Sequence, residues 1–222
     1  MKLVSLLFLV ALSKISIAQK SSLIKSWSAG VTTNVAIPGS AYIAFQPCAE
    51  LQFQNRFSVV VGYSFKLIDV DRSEKSVTNE KYGRVLLEGR YRLAKSADRA
   101  AFYTSLQITQ SKRKFTQEDG YFLYEYDDDS TTYFTKADVS SPVTTFSLQL
   151  GLTSRGIKRF FVDFFGGMGI RFTNTRFNNI EGKTRELVLF RKHYDWDSGL
   201  ETGKPAPFIH LTAGLRLFYR IK

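Results

Sequence analysis

The sequence predicts an all-β fold, an eight-stranded antiparallel up-and-down transmembrane β-barrel. Three observations predict it. Eight stretches alternate apolar and polar residues with a period of two. The connections between them are mostly short on one side and long on the other. No stretch after residue 18 has the length and apolarity of a membrane-crossing helix, so a membrane form must be a closed sheet, which satisfies its own backbone in lipid.

Residues 1–18 read as a secretory signal peptide: basic at Lys2, apolar from Leu3 to Leu12, and closed by Ser16-Ile17-Ala18. Cleavage after Ala18 leaves 19–222 as one barrel domain, and the apolar core is too short to span a bilayer as a helix. The chain has a formal charge of +11; losing Lys2 and Lys14 with the leader gives 11 − 2, or +9. A basic chain invites a nucleic-acid reading. Export argues against it, and so does the shortness of the largest basic run, Lys112-Arg113-Lys114, which reads as the membrane-edge end of a strand. The single cysteine, Cys48, rules out an intrachain disulfide and lies far from the cleavage site, which argues against a lipid anchor.

The first stretch, Trp27–Ile37, sets Trp27, Ala29, Val31, Val35 and Ile37 on one face. The second, Ile43–Phe53, opposes Phe45, Pro47, Ala49 and Leu51 to Gln46, Cys48, Glu50 and Gln52. The third, Phe57–Ile68, carries Phe57, Val59, Val61, Tyr63, Phe65 and Leu67. In the fourth, Lys81–Leu93, Val85, Leu87 and Tyr91 stand opposite Arg84, Glu88, Arg90 and Arg92. The fifth, Ala100–Ser111, opposes Phe102, Leu106 and Ile108 to Tyr103, Ser105 and Gln107. The sixth, Val143–Thr153, opposes Phe146, Leu148, Leu150 and Leu152 to Thr145, Ser147, Gln149 and Gly151. The seventh, Phe160–Phe172, opposes Phe160, Val162, Phe164, Met168 and Ile170 to Asp163, Gly167, Gly169 and Arg171. The eighth, Pro207–Ile221, is the clearest: Ile209, Leu211, Ala213, Leu215, Leu217, Tyr219 and Ile221 form a wholly apolar set against Phe208, His210, Thr212, Gly214, Arg216, Phe218 and Arg220. Lengths of about 11–15 residues suit tilted strands, of which roughly 9–11 residues cross the hydrocarbon.

Short turns are expected at Gln54–Arg56, Ala94–Arg99 and Ser154–Arg159, and long loops at Asp69–Glu80, Lys112–Pro142 and Thr173–Ala206. Only the first connection on the long side, Pro38–Ser40, is brief. Period two does not say which face is inside. A soluble lipocalin-like barrel would turn the apolar face inward, but an eight-stranded lumen is too narrow for that load of Phe, Leu, Ile and Tyr. The polar face is therefore placed inside. Glu50, Arg90, Asp163 and Arg216 then share a depth about four residues above the short turns, with Asp163 and Arg216 on neighbouring strands and Glu50 facing Arg90 across the lumen. Glu88, Arg92 and Arg220 extend that cluster. Its expected role is a structural plug, because buried charges require partners.

Candidate chemistry is sparse. The two histidines, His193 and His210, and one cysteine are too few for a zinc site. Glu118, Asp119, Glu125 and Asp127-Asp128-Asp129 make an acidic loop whose spacing matches no calcium loop. No phosphate loop or nucleophile constellation is evident, and no cofactor is expected. Tyr121, Phe122, Tyr124, Tyr126, Tyr194 and Trp196 are candidate aromatics for binding a partner, or else prolong the strands as a hairpin above the membrane.

Thr212-Ala213-Gly214-Leu215-Arg216-Leu217-Phe218-Tyr219 resembles the C-terminal signal by which bacterial outer-membrane β-barrels are recognised for assembly, with Thr212, Gly214, Leu217 and Tyr219 at its characteristic positions. It departs from that pattern in continuing through Arg220, Ile221 and Lys222. The whole mature chain resembles small porin-family or OmpA-like barrels, particularly those of Bacteroidota. The resemblance implies outer-membrane lipid and the barrel-assembly machinery as partners, and an outer-membrane location in a Gram-negative cell. His210-Leu211-Thr212 resembles, faintly, the His-x-Ser pair of outer-membrane lipid A deacylases, but threonine replaces serine and parity points both residues into the lumen. The expected role is structural or interactive, through long outer loops that bind a partner, a surface or an envelope complex. A narrow ion or small-solute channel ranks second and a lipid A-modifying enzyme third.

Overall fold

The computed structural model describes residues 24–36, 42–53, 56–69, 77–93, 100–124, 130–155, 159–187, 200–202 and 206–221. The leader, the connection around Pro38–Ser40 and the acidic run Asp127-Asp128-Asp129 lie outside them. The strands are β1 (Ile24–Ala36), β2 (Tyr42–Phe53), β3 (Phe57–Asp69), β4 (Val77–Arg92), β5 (Ala100–Tyr124), β6 (Ser130–Arg155), β7 (Phe160–Thr173), β8 (Arg176–Glu181), β9 (Thr184–Leu187), β10 (Leu200–Thr202) and β11 (Ala206–Arg220). No helix among them is long and apolar enough to cross a membrane.

Eight of these strands close a ring in the order β1-β2-β3-β4-β5-β6-β7-β11, all antiparallel, with β11 returning to β1 through pairs such as Ala29↔Tyr219 and Thr32↔Arg216. The predicted barrel is therefore present, and its faces are as the alternation requires. Leu148 and Leu150 on β6 are 61% and 67% exposed, whereas Ser147 and Gln149 between them are buried. The same alternation runs along β4, β5, β7 and β11, so the apolar side chains cover the outside and the polar ones line the lumen. Outward-facing rings pair near the short-turn end, Phe57 with Tyr91 at 5.1 Å and Phe160 with Tyr219 at 5.0 Å. Others pair toward the far end, Phe45 with Phe65 at 5.6 Å and Phe146 with Phe172 at 6.3 Å. Aromatic girdles flanking an apolar band are the arrangement that lipid interfaces favour.

Glycine is needed where β7 lies against β6. A Cβ on Gly167 or Gly169 would stand 2.2 or 1.9 Å from the main-chain oxygens of Leu148 and Phe146. Gly151 serves a different purpose: a Cβ there would meet the Tyr103 ring at 2.1 Å, so its absence lets that ring lie flat in the lumen.

The expected long loops are corrected. Most of Lys112–Pro142 is not loop but a continuation of β5 and β6, paired from Lys112↔Pro142 to Leu123↔Thr131. Part of Thr173–Ala206 forms β8 and β9, which pair with β6, and β10, which pairs in parallel with β5. The fourth strand likewise starts at Val77, inside the expected Asp69–Glu80 loop. The physical reason is that backbone pairing continues past the point where the apolar face stops. On β5 the outward residues change from Leu106 and Ile108 to Gln110, Lys112 and Lys114. Beyond that edge neither face need be apolar, so the period-two signal fades while the ladder continues.

Candidate functional site

The lumen cluster is assembled by four strands, with Glu50 on β2, Glu88, Arg90 and Arg92 on β4, Asp163 on β7 and Arg216 on β11. All six side chains are buried. Arg216 and Asp163 are register partners and meet at 3.1 Å (Nη1–Oδ2), as their neighbouring strands predict. Arg90 reaches Glu50 at 3.6 Å, as predicted. It also donates from Nε to Glu88 Oε1 and from Nη2 to Asp163 Oδ2, both at 2.7 Å.

Glu88 is the hub rather than an extension of the cluster. It accepts from Arg90, from Arg216 Nη2 at 2.6 Å and from Gln107 at 3.4 Å. Counting residues along tilted strands places it one layer off, because β4 stands across the ring from β11 and its side chains reach the same centre from the other wall. Arg92 contacts Glu50 at 3.2 Å, and Glu50 also accepts from Ser58 at 2.7 Å. Arg220 lies 5.6 Å from the Phe161 ring centroid.

Three carboxylates (Glu50, Glu88, Asp163) face three guanidiniums (Arg90, Arg92, Arg216), so the cluster is formally neutral. Arg, with its planar fork, suits this shared bridging. Rings complete the packing. The Arg216 guanidinium sits 3.9 Å from the Phe165 centroid and that of Arg90 4.5 Å from the Tyr103 centroid. Phe161 and Phe218 stack at 5.0 Å with 12° between planes. The inward role of Phe161 and Phe165 escapes a polar-inside rule. The doublets Phe160-Phe161 and Phe164-Phe165 are the available signal, since adjacent residues of a strand must point to opposite faces.

His210 and Thr212 lie on the lumen side, with Leu211 between them facing outward at 64% exposure. The His–Thr pair is thus not presented to the outer surface. Of the assembly-signal residues, Thr212 is buried in the wall against Gly167, Gly214 faces the lumen, and Leu217 and Tyr219 face outward. Of the candidate partner-binding aromatics, Tyr121 packs on Tyr133 across the extended hairpin, with ring centroids 6.0 Å apart. Phe122 and Tyr124 fall on β5, but their side chains lie outside the described residues, as do Tyr126, Tyr194 and Trp196 entirely.

A second feature has no counterpart in the sequence patterning. Beyond the apolar band, β4, β5, β6 and β8 frame a groove of about 440 Å³ lined by Thr78, Asn79, Thr116, Glu118, Lys136, Asp138, Asn179 and Glu181. Asn79, Asp119 and Asn179 adopt φ of 55°, 50° and 51°, a left-handed conformation that Asn and Asp tolerate best among residues with a side chain. Phe134 and Phe177 pack at 5.6 Å beside Ala137 and Ile180, joining β8 to the hairpin. Asp138 accepts from Asn179 at 2.8 Å and from Thr116 at 3.0 Å.

These two bonds, that of Asn179 first, hold the Asp138 carboxyl below the usual aspartate range, with Lys136 adding to the effect. A carboxylate whose pKa is depressed by folding stabilises above its unfolded value and loses that contribution as pH falls through the folded value. Acidification is therefore expected to loosen β8 first. Amide exchange of Arg176–Glu181, corrected for its intrinsic pH dependence, should quicken in acid relative to β7. Equal protection of the two strands across the acid range would contradict this.

No family model and no curated protein matches the chain. Among solved structures, it is similar to a major outer membrane protein from Thermus thermophilus, with 12% identity, 88% of this chain and 100% of that chain covered, and a TM-score of 0.46.

Proposed function

We propose that this chain is an outer-membrane β-barrel whose role is to present an extramembrane β-sheet platform to a partner in the envelope. The observation that carries the reading is the contrast between the two halves of the molecule. The ring turns Leu148, Leu150, Met168 and Leu211 outward, a lipid-facing surface rather than a water-facing one. Its lumen holds the neutral cluster of Glu50, Glu88 and Asp163 with Arg90, Arg92 and Arg216, side chains no more than 10% exposed, which supports a plug rather than an open channel. Above the band, β5 and β6 continue as a hairpin flanked by β8, β9 and β10, more structure than the barrel needs for closure.

In this reading Thr212, Gly214, Leu217 and Tyr219 present the last strand to the barrel-assembly machinery, and the short turns face the periplasm. The finer likeness to porin-family or OmpA-like barrels is carried by the strand and loop pattern of the whole mature chain, and that to Bacteroidota by Ala18-Gln19 and the ending Gly214-Leu215-Arg216-Leu217-Phe218-Tyr219-Arg220.

The test is native size after extraction in mild detergent, for the whole protein and for a variant in which Lys112–Pro142 is replaced by a tight turn. Because Lys112 and Pro142 are register partners, the excision leaves the barrel ladder below them intact. Stoichiometric partners that co-elute with the whole protein and are lost on excision are the expected result. A barrel that elutes alone, or one that keeps its partners without the hairpin, would contradict the reading.

A further inference from the structure

Among the described residues, the lower-lumen cluster sets three carboxylates against three guanidiniums, whereas two arginines farther up have no carboxylate beside them. Arg84 on β4, Arg171 on β7 and His210 on β11 share the inward parity of Glu88, Asp163 and Arg216, but lie farther from the short turns. Arg171 pairs with Phe208 and His210 with Gly169, so the two are diagonal neighbours on one wall. Arg84 stands on the opposite wall, since β4 is four strands from β11 in either direction round the ring. All three side chains face the lumen by parity, and the charges of both arginines act on His210.

Neither arginine has a carboxylate partner among the described residues, and the Arg171 Nε is sealed from solvent without an acceptor. The side chains directly opposite carry no charge: Ser64 and Ser111 beside Arg84, and Thr145 and Phe208 beside Arg171. Two like charges in a narrow, weakly screened lumen repel, and a bound anion removes that repulsion while supplying the missing acceptor. Guanidinium forks suit oxyanions in particular, because two parallel N–H groups match two oxygens.

We propose that Arg84, Arg171 and His210 form a binding site for a small free oxyanion of the phosphate class in the outer half of the lumen, above the neutral plug. The site stands independently of the partner-binding platform. It uses no residue of the hairpin, and the anion is drawn from solution rather than from a lipid headgroup, because the groups face the lumen and not the outer wall.

The probe is inorganic phosphate, titrated calorimetrically into the full-length barrel in zwitterionic detergent, with chloride replacing it at matched ionic strength. Saturable binding is expected for the native protein, weakened at least about tenfold in Arg84→Gln and in Arg171→Gln, as loss of one charge-assisted contact implies. Lys114→Gln, on the outward side of the hairpin, should bind as the native protein does. Heat-dependent gel mobility of each variant establishes that the barrel is folded. No saturable binding by the native protein overturns the proposal, as do Arg84→Gln and Arg171→Gln variants that bind unchanged. Binding only from phospholipid vesicles, with none of free phosphate, also overturns it by moving the site to the lipid surface.

Discussion

Glu88→Ala is expected to destabilise the barrel by about 3–5 kcal/mol, the cost of removing one partner from a buried ion pair. Glu88 holds both Arg90 and Arg216, and its loss leaves the cluster with Glu50 and Asp163 against three arginines, one net positive charge in a space sealed from solvent. Glu88→Leu combined with Arg216→Leu restores the balance and should recover much of the loss, because replacing a whole buried pair by apolar groups is often nearly neutral. The measurement is the denaturant midpoint of the refolded protein in micelles, followed by the fraction that keeps barrel mobility on unboiled gels. Coupling between the two positions is read from the double-mutant cycle. A Glu88→Ala variant within about 0.5 kcal/mol of the native protein, the range of ordinary surface changes, would show that the cluster is not a stabilising unit.

Leu150→Arg is the second large effect. Leu150 is two-thirds exposed near the middle of the apolar band on β6. On the surface of a soluble barrel such a change would be close to neutral. On a lipid face near the bilayer midplane it should cost about 2–4 kcal/mol. Lys136→Ala, beyond the band on the same strand, should cost little in either case. The comparison is the folding free energy in phospholipid vesicles, where a neutral Leu150→Arg would contradict the lipid-facing exterior.

Those two residues show what can be read from the sequence and what cannot. The face carrying Leu150 is legible because an apolar side chain recurs there at every second position, the period-two trace that a lipid-facing wall is expected to leave. The Asp163–Arg216 pair is legible because neighbouring strands of similar depth must place opposite charges side by side. Glu88 is recognisable as a lumen residue, but its central position depends on strand tilt and cross-ring reach, which depth counting does not resolve. Phe161 and Phe165 are obscured because a lumen ring stacked against another ring or beneath a guanidinium breaks the polar-inside pattern, whereas the strict alternation of the last strand makes Phe218 legible as an inward residue. The extension of β5 and β6 is half legible: the aromatic runs at Tyr121–Tyr126 and Tyr133-Phe134 suggest a hairpin above the membrane, but outward positions such as Lys112, Lys114 and Lys136 no longer carry the apolar alternation that bounds a strand, and backbone pairing alone fixes its extent.

Contact of the outward face with lipid underlies the barrel's whole arrangement, and Trp27 tests it directly. It lies on the outer face of β1 at 41% exposure, and the other tryptophan, Trp196, is removed by Trp196→Phe. The measurement is Trp27 fluorescence after reconstitution into vesicles whose acyl chains carry bromine, against vesicles without it. Strong quenching by the brominated chains is predicted. Emission unchanged by bromine, from a protein shown to be folded, would contradict the account, because the apolar face of the ring would then be turned toward something other than a membrane.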